Sequence, residues 1–152
     1  MRHYDIFLIE DEVAETFFGE ESKLFQLFCE AETNKSSVYH ELLKKQVAYV
    51  TKPLNTNAVE QVIEREMRYR IGYYKVPGYH LLKAPAGNSR AELTFFQQRI
   101  HLDSQGSIEC ETAFFEVLRR CERCFWAVDY RNRRYGWLKP IKQRRYIKPS
   151  TV

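Results

Sequence analysis

The sequence predicts an α/β (α+β) fold, a single domain in which a mixed sheet of about five strands packs with about four helices. Three observations carry that expectation. Residues 112–140, TAFFEVLRRCERCFWAVDYRNRRYGWLKP, read as a helix, a buried strand and a hairpin partner, enough apolar surface to found a core. Along the chain the hydrophobic pattern runs β-ααα-ββ(β)-α-ββ, with hairpins that require antiparallel pairs and a late helix whose crossing permits a parallel one. Lastly, 152 residues with 44% hydrophobic and 14% aromatic content suffice for one domain that buries most of its apolar surface. The domain is expected to span residues 1–152 and to end in a basic tail from about residue 141.

Taken in order, residues 2–9 alternate and then turn apolar, as a first strand does, with Phe7 and Ile9 on one face. Acids at Glu10, Asp11 and Glu12 open a helix, as its amino-terminal dipole favours. Val13 and Phe17 form one i,i+4 pair there, Ala14 and Phe18 a second. With Ala14 and Phe18 on the core side, Phe17 is expected at the surface. Gly19 breaks the pattern, costing about 1 kcal/mol of helix propensity relative to alanine. Helix resumes over 22–30, burying Leu24, Leu27 and Phe28.

Thr33 to Ser36 reads as a turn, and Ser36 or Ser37 can cap a helix over 38–50. In that helix Tyr39, Leu42, Leu43, Val47 and Val50 share a face, with Gln46 near its centre. Such a glutamine is either a satisfied core amide or part of a face turned toward a partner. Pro53 ends the helix by disfavouring helical geometry in its predecessor. Asn57 and Glu60 resemble a capping box for a third helix with the stripe Val59, Val62, Ile63, Met67. Extended pieces follow over 71–76 and 79–83, split by Pro77-Gly78, then a loop over 84–89. Residues 93–102 read as a strand, 103–106 as a turn and 107–110 as a short returning strand. In the last block Phe114, Val117, Leu118 and Cys121 recur at helical spacing, 124–128 is a buried strand and 134–138 its hairpin partner.

No run approaches the roughly 18 apolar residues of a membrane span, and the first residues meet acids too soon for a signal peptide. A cytoplasmic location is the expectation. Cys121 and Cys124 form a CxxC, but no second pair completes a closed zinc site, and the motif follows its helix instead of opening one. The four cysteines therefore read as ordinary buried thiols. His3, His40, His80 and His101 are scattered without ligand spacing, and nucleotide loops, metalloprotease helices and nucleophile elbows are missing. No metal, no cofactor and no enzyme activity are expected.

Charge is uneven. Residues 1–32 hold nine acids against two bases, a balance of −7, while residues 119–152 hold eleven bases against two acids, a balance of +9. Arg131, Arg133, Arg134, Lys142, Arg144 and Arg145 interleave with Tyr130, Tyr135 and Tyr146, a mixture that suits nucleic acid as an alternative reading but that a solvated surface around a hairpin explains more readily.

One set of residues carries a family resemblance. It begins with Arg2-His3-Tyr4, Leu8-Ile9, Phe18-Gly19 and Glu21-Ser22, and continues with Gln46, Tyr49, Thr51 and Pro53. It ends with Phe114-Phe115-Glu116-Val117-Leu118, Cys124-Phe125, Ala127, Asp129, Arg134-Tyr135-Gly136-Trp137-Leu138 and Pro140. Together they resemble the SirA family of sporulation inhibitors of replication. The resemblance implies a cytoplasmic protein of endospore-forming bacteria, without cofactor or catalysis, that binds domain I of the replication initiator DnaA. By position it also implies a partner-binding surface at Val13, Phe17, Gln46, Tyr49 and Pro140. The family pattern has an aromatic residue where Val13 stands and a tyrosine where Phe17 stands.

Overall fold

The computed structural model describes residues 1–34 and 38–141, and among them seven strands and five helices. Strand β1 (Arg2–Leu8) leads into α1 (Asp11–Thr16), α2 (Glu21–Thr33), α3 (Tyr39–Val50) and α4 (Thr56–Met67). Strands β2 (Tyr73–Val76), β3 (Tyr79–Lys83), β4 (Ser89–Phe95) and β5 (Ile100–Gly106) form a meander, followed by α5 (Glu109–Cys121), β6 (Phe125–Asp129) and β7 (Arg134–Trp137). The sheet order is β2-β3-β4-β5-β1-β6-β7, with every neighbouring pair antiparallel.

The α+β class stands, with two strands and one helix more than the pattern suggested. The crossover through α5 does send β5 and β6 in the same direction. Strand β1 lies between them, however, so the parallel ladder that the sequence permitted does not form.

Alternation along the central strands builds two cores. Ile6 and Leu8 of β1 and Phe125 and Ala127 of β6 face one side, where Val59, Ile63 and Met67 of α4 and Phe114, Val117 and Leu118 of α5 cover them. Phe7, Trp126 and Val128, with Ile9 just past β1, face the other, under Ala14, Leu24, Phe25, Phe28 and Val50 from the first three helices. The 112–140 block is therefore central, as its composition suggests, since β6 is buried along its whole length.

Local differences have local causes. Helix α4 starts at Thr56 because Asn55, not Asn57, accepts the Ala58 N–H at 3.1 Å. Residues 93–102 are not one strand but the end of β4, a turn and the start of β5. That turn, Phe96 to Arg99, closes with the Phe96 N–H on the Arg99 carbonyl and contains none of the residues that usually mark reversals. Gly106, at φ +79°, ends β5 rather than opening a returning strand, and residues 109 and 110 already belong to α5. The Ser36 or Ser37 cap lies outside the described residues.

Candidate functional site

The candidate surface is built where β1 runs out. Past Leu8 the ladder ends, and the chain is held instead by three main-chain hydrogen bonds: Ile9 N–H to Cys124 O (3.0 Å), Glu10 N–H to Val50 O (2.9 Å) and Lys52 N–H to Leu8 O (2.8 Å). The last two join the start of α1 to the end of α3. Helix α1 is only six residues long. Phe17 caps it at φ −89°, ψ 9°, its N–H on the Val13 carbonyl, and Gly19 then takes φ +79°, which costs glycine little and turns the chain into α2.

That early stop reverses one expectation. Helical spacing would place Phe18 beneath Ala14, but the helix has ended before the i,i+4 rule reaches it. Phe18 is 42% exposed, whereas Phe17 is half-buried against the apolar cluster under α1–α3.

Helix α3 carries two stripes about a quarter-turn apart. Leu43 and Val50 are buried and Val47 half-buried, while Tyr39 (69% exposed), Leu42 (52%), Gln46 and Tyr49 (81%) line up toward solvent at spacings of three, four and three. Sequence pattern merged these stripes into one face. Gln46 is accordingly exposed and not a core amide. The signal for two stripes was present, since 39-42-46-49 and 43-47-50 each satisfy helical periodicity alone.

Val13 and Tyr49 meet in one cleft of about 460 Å³, lined also by Glu10, Asp11, Glu12 and Lys52. Its rim is acidic, with Lys52 Nζ 3.3 Å from Asp11 Oδ1 as the compensating charge. Asp11 also accepts the Cys124 thiol at 3.2 Å, and that bond, followed by the Lys52 ammonium, holds its carboxyl below the ordinary aspartate value. Burial, then the same Asp11 contact, pushes the Cys124 thiol up to about 11. Burial likewise raises Cys121, whose Sγ donates to the Val117 carbonyl. Both members of the CxxC thus favour the protonated thiol, opposite to what thiolate chemistry needs.

Of the five expected binding residues, Val13, Gln46 and Tyr49 come together around this cleft and the outer stripe of α3. Phe17 borders them from within the cluster. Pro140 is exposed just beyond β7, and its neighbour Ile141 is buried in the same apolar cluster. Leu42 and Tyr39, which extend the outer stripe, were missed as surface residues.

The basic hairpin is organised differently. Tyr135 stacks on Phe25 at 4.6 Å and Arg133, at φ +53°, places its guanidinium 5.5 Å from the same ring. Arg134 lies 3.7 Å from buried Asp129, and Tyr130 is half-buried. These groups are engaged within the fold. Lys142, Arg144, Arg145 and Tyr146 lie outside the described residues. Among the described residues no helix is long and apolar enough to cross a membrane.

A family model described as "Sporulation inhibitor of replication protein SirA" matches residues 2–142. The chain belongs to the SirA family. It is 33% identical over 120 residues to the sporulation inhibitor of replication protein SirA of Bacillus subtilis (strain 168), covering 78% of this chain and 80% of that protein. The SirA match takes in all twelve elements, so the cleft, the outer stripe of α3 and Pro140 all fall inside it.

Proposed function

We propose that this chain inhibits the initiation of DNA replication at the onset of sporulation by binding, one to one, domain I of the initiator DnaA, without cofactor or turnover. Membership of the SirA family supports the inhibitory role. The single observation that carries the binding surface is the meeting of Val13 and Tyr49 in one cleft beside an exposed apolar stripe on α3. A tyrosine and a leucine projecting from a rigid helix, rimmed by charge, are the parts of a compact protein–protein site. Acids at the rim would speed encounter with a basic partner surface and impose a salt dependence on the association rate.

Isothermal titration of the full chain against domain I of the cognate DnaA tests this. Saturable binding near one to one is expected, weakened by Tyr49→Ala and by Gln46→Ala. No heat and no co-elution on sizing would remove the proposal. Binding to duplex or single-stranded DNA by the chain alone at about 0.15 M salt would instead favour the nucleic-acid reading, which the internal stacking of Tyr135 already weakens.

A further inference from the structure

Strands β1 and β5 place His3 opposite Asp103, and Asp5 opposite His101. All four side chains leave the sheet on the face that carries Phe7, and all remain partly open to solvent. Asp103 Oδ1 is approached from two sides. His101 Nε2 lies 2.9 Å away, and His3 Nδ1 contacts the same oxygen. The two imidazole rings stack with centroids 6.2 Å apart and planes inclined by 20°. One ligating atom from each of His3, His101 and Asp103 can be chosen such that all lie within 4.8 Å of one another.

We propose that His3, His101 and Asp103 form a binding site for a divalent transition-metal ion of the zinc type. Two imidazole nitrogens and one carboxylate oxygen are a donor set zinc uses with its fourth position open to water or an incoming ligand. Hard cations such as magnesium and calcium prefer all-oxygen surroundings, so the two nitrogens select against them. With metal–ligand bonds of about 2.0–2.1 Å, tetrahedral ligands sit about 3.3 Å apart. Rotation of the partly exposed side chains must open the Nε2–Oδ1 separation by a few tenths of an ångström and the tighter His3–Asp103 contact by more, while the strand ladder stays fixed.

A fourth residue supports the geometry. Asp5 Oδ1 lies 2.7 Å from His101 Nδ1, and Arg99 stands 3.7 Å from the other Asp5 oxygen. A hydrogen bond from Nδ1–H to that carboxylate leaves Nε2 as the ligating atom and fixes the ring plane, as carboxylates behind metal-bound histidines do. Asp5 is therefore a positioning residue. The bound ion would link the third residue of the chain to β5, and would stabilise the folded state in proportion to the logarithm of its concentration above the dissociation constant.

The experiment uses the tag-free full chain, titrated with Zn2+ by calorimetry and with Co2+ by visible absorption. The expected result is one ion per chain, with the Co2+ bands of a four-coordinate N/O site. His3→Ala and His101→Ala should each abolish saturable binding, and so should Asp103→Asn, which keeps the side-chain volume should an alanine variant fold poorly. Asp5→Asn should weaken binding by about 10–100-fold and shift the Co2+ bands, with partial recovery in Asp5→Glu. Saturating Zn2+ should raise the melting temperature of the parent chain but not of His101→Ala. Absence of one-per-chain binding overturns the proposal. So does binding that persists in both histidine variants, or binding lost only in the Cys121→Ser, Cys124→Ser double variant.

Discussion

Helices α3 and α5 are twelve and thirteen residues long, and both show apolar residues at helical spacing, yet the fold uses them in opposite ways. Six residues of α5 are buried, among them Phe114 and Leu118 with no exposed surface, whereas α3 buries two and leaves Tyr39, Leu42 and Tyr49 largely in water. Helix α5 lies against the middle of the sheet, beside α4. Helix α3 lies at the edge of the second core, anchored by Leu43, Val47 and Val50 on one narrow stripe. An apolar surface that folding leaves uncovered contributes nothing to stability and is available to a partner. The comparison therefore assigns α5 to the architecture, and on the proposed function the uncovered stripe of α3 serves recognition.

The sharpest way to break that contrast is to truncate one ring on each helix. Phe114→Ala should destabilise the fold by about 3–5 kcal/mol, the usual cost of emptying a fully buried aromatic site. Urea unfolding reads the loss, and partner affinity of the protein that remains folded should be unchanged. Tyr49→Ala should do the reverse, weakening the proposed complex with DnaA domain I by about 2 kcal/mol, or about 30-fold, while stability moves by less than about 0.5 kcal/mol. A large drop in melting temperature for Tyr49→Ala would make the outer stripe structural and erase the distinction.

Two smaller effects refine it. Phe17→Ala should cost about 1 kcal/mol of stability, roughly half the value of full phenylalanine burial, and Phe18→Ala close to none. Equal melting temperatures for the two variants would mean that the early end of α1 does not separate their environments. Smallest is the acid response of Asp11. Its carboxyl is held below the ordinary value by Cys124 and Lys52, so its contribution is present above about pH 4 and fades as pH falls through the lowered folded value. The stability gap between the parent chain and Asp11→Asn should therefore be larger near neutral pH than near about pH 3. A gap independent of pH would show that the carboxylate charge is not what matters.

How much of this was legible depended on whether the deciding contact was local. Strand β3 was read to the residue, because Pro77-Gly78 marks its start. The inward stripes of α4 and α5 were equally plain, each being a single run at 3.6-residue spacing. The turn between β4 and β5 was not, since Phe96, Gln97, Gln98 and Arg99 reverse the chain without glycine, proline, asparagine or aspartate. Gln46 was ambiguous because two stripes on one helix look like one broad stripe until something covers only half of it. Phe17 and Phe18 exchanged places because spacing rules assume that the helix continues. His3 and Asp103 stand 100 residues apart, and only the register of β1 on β5 makes them neighbours. Val13 and Tyr49 are likewise joined by tertiary structure alone.

The two main-chain hydrogen bonds that tie Glu10 to Val50 and Leu8 to Lys52 bear on how such a surface changes over generations. Any residue except proline can supply those bonds from its backbone, so the spacing of α1 and α3 is inherited independently of the side chains they display. Exposed positions such as 46 and 49 can then be exchanged without dislodging that frame. On the proposed function, partner preference can drift at such positions while the backbone frame beneath them is kept by folding.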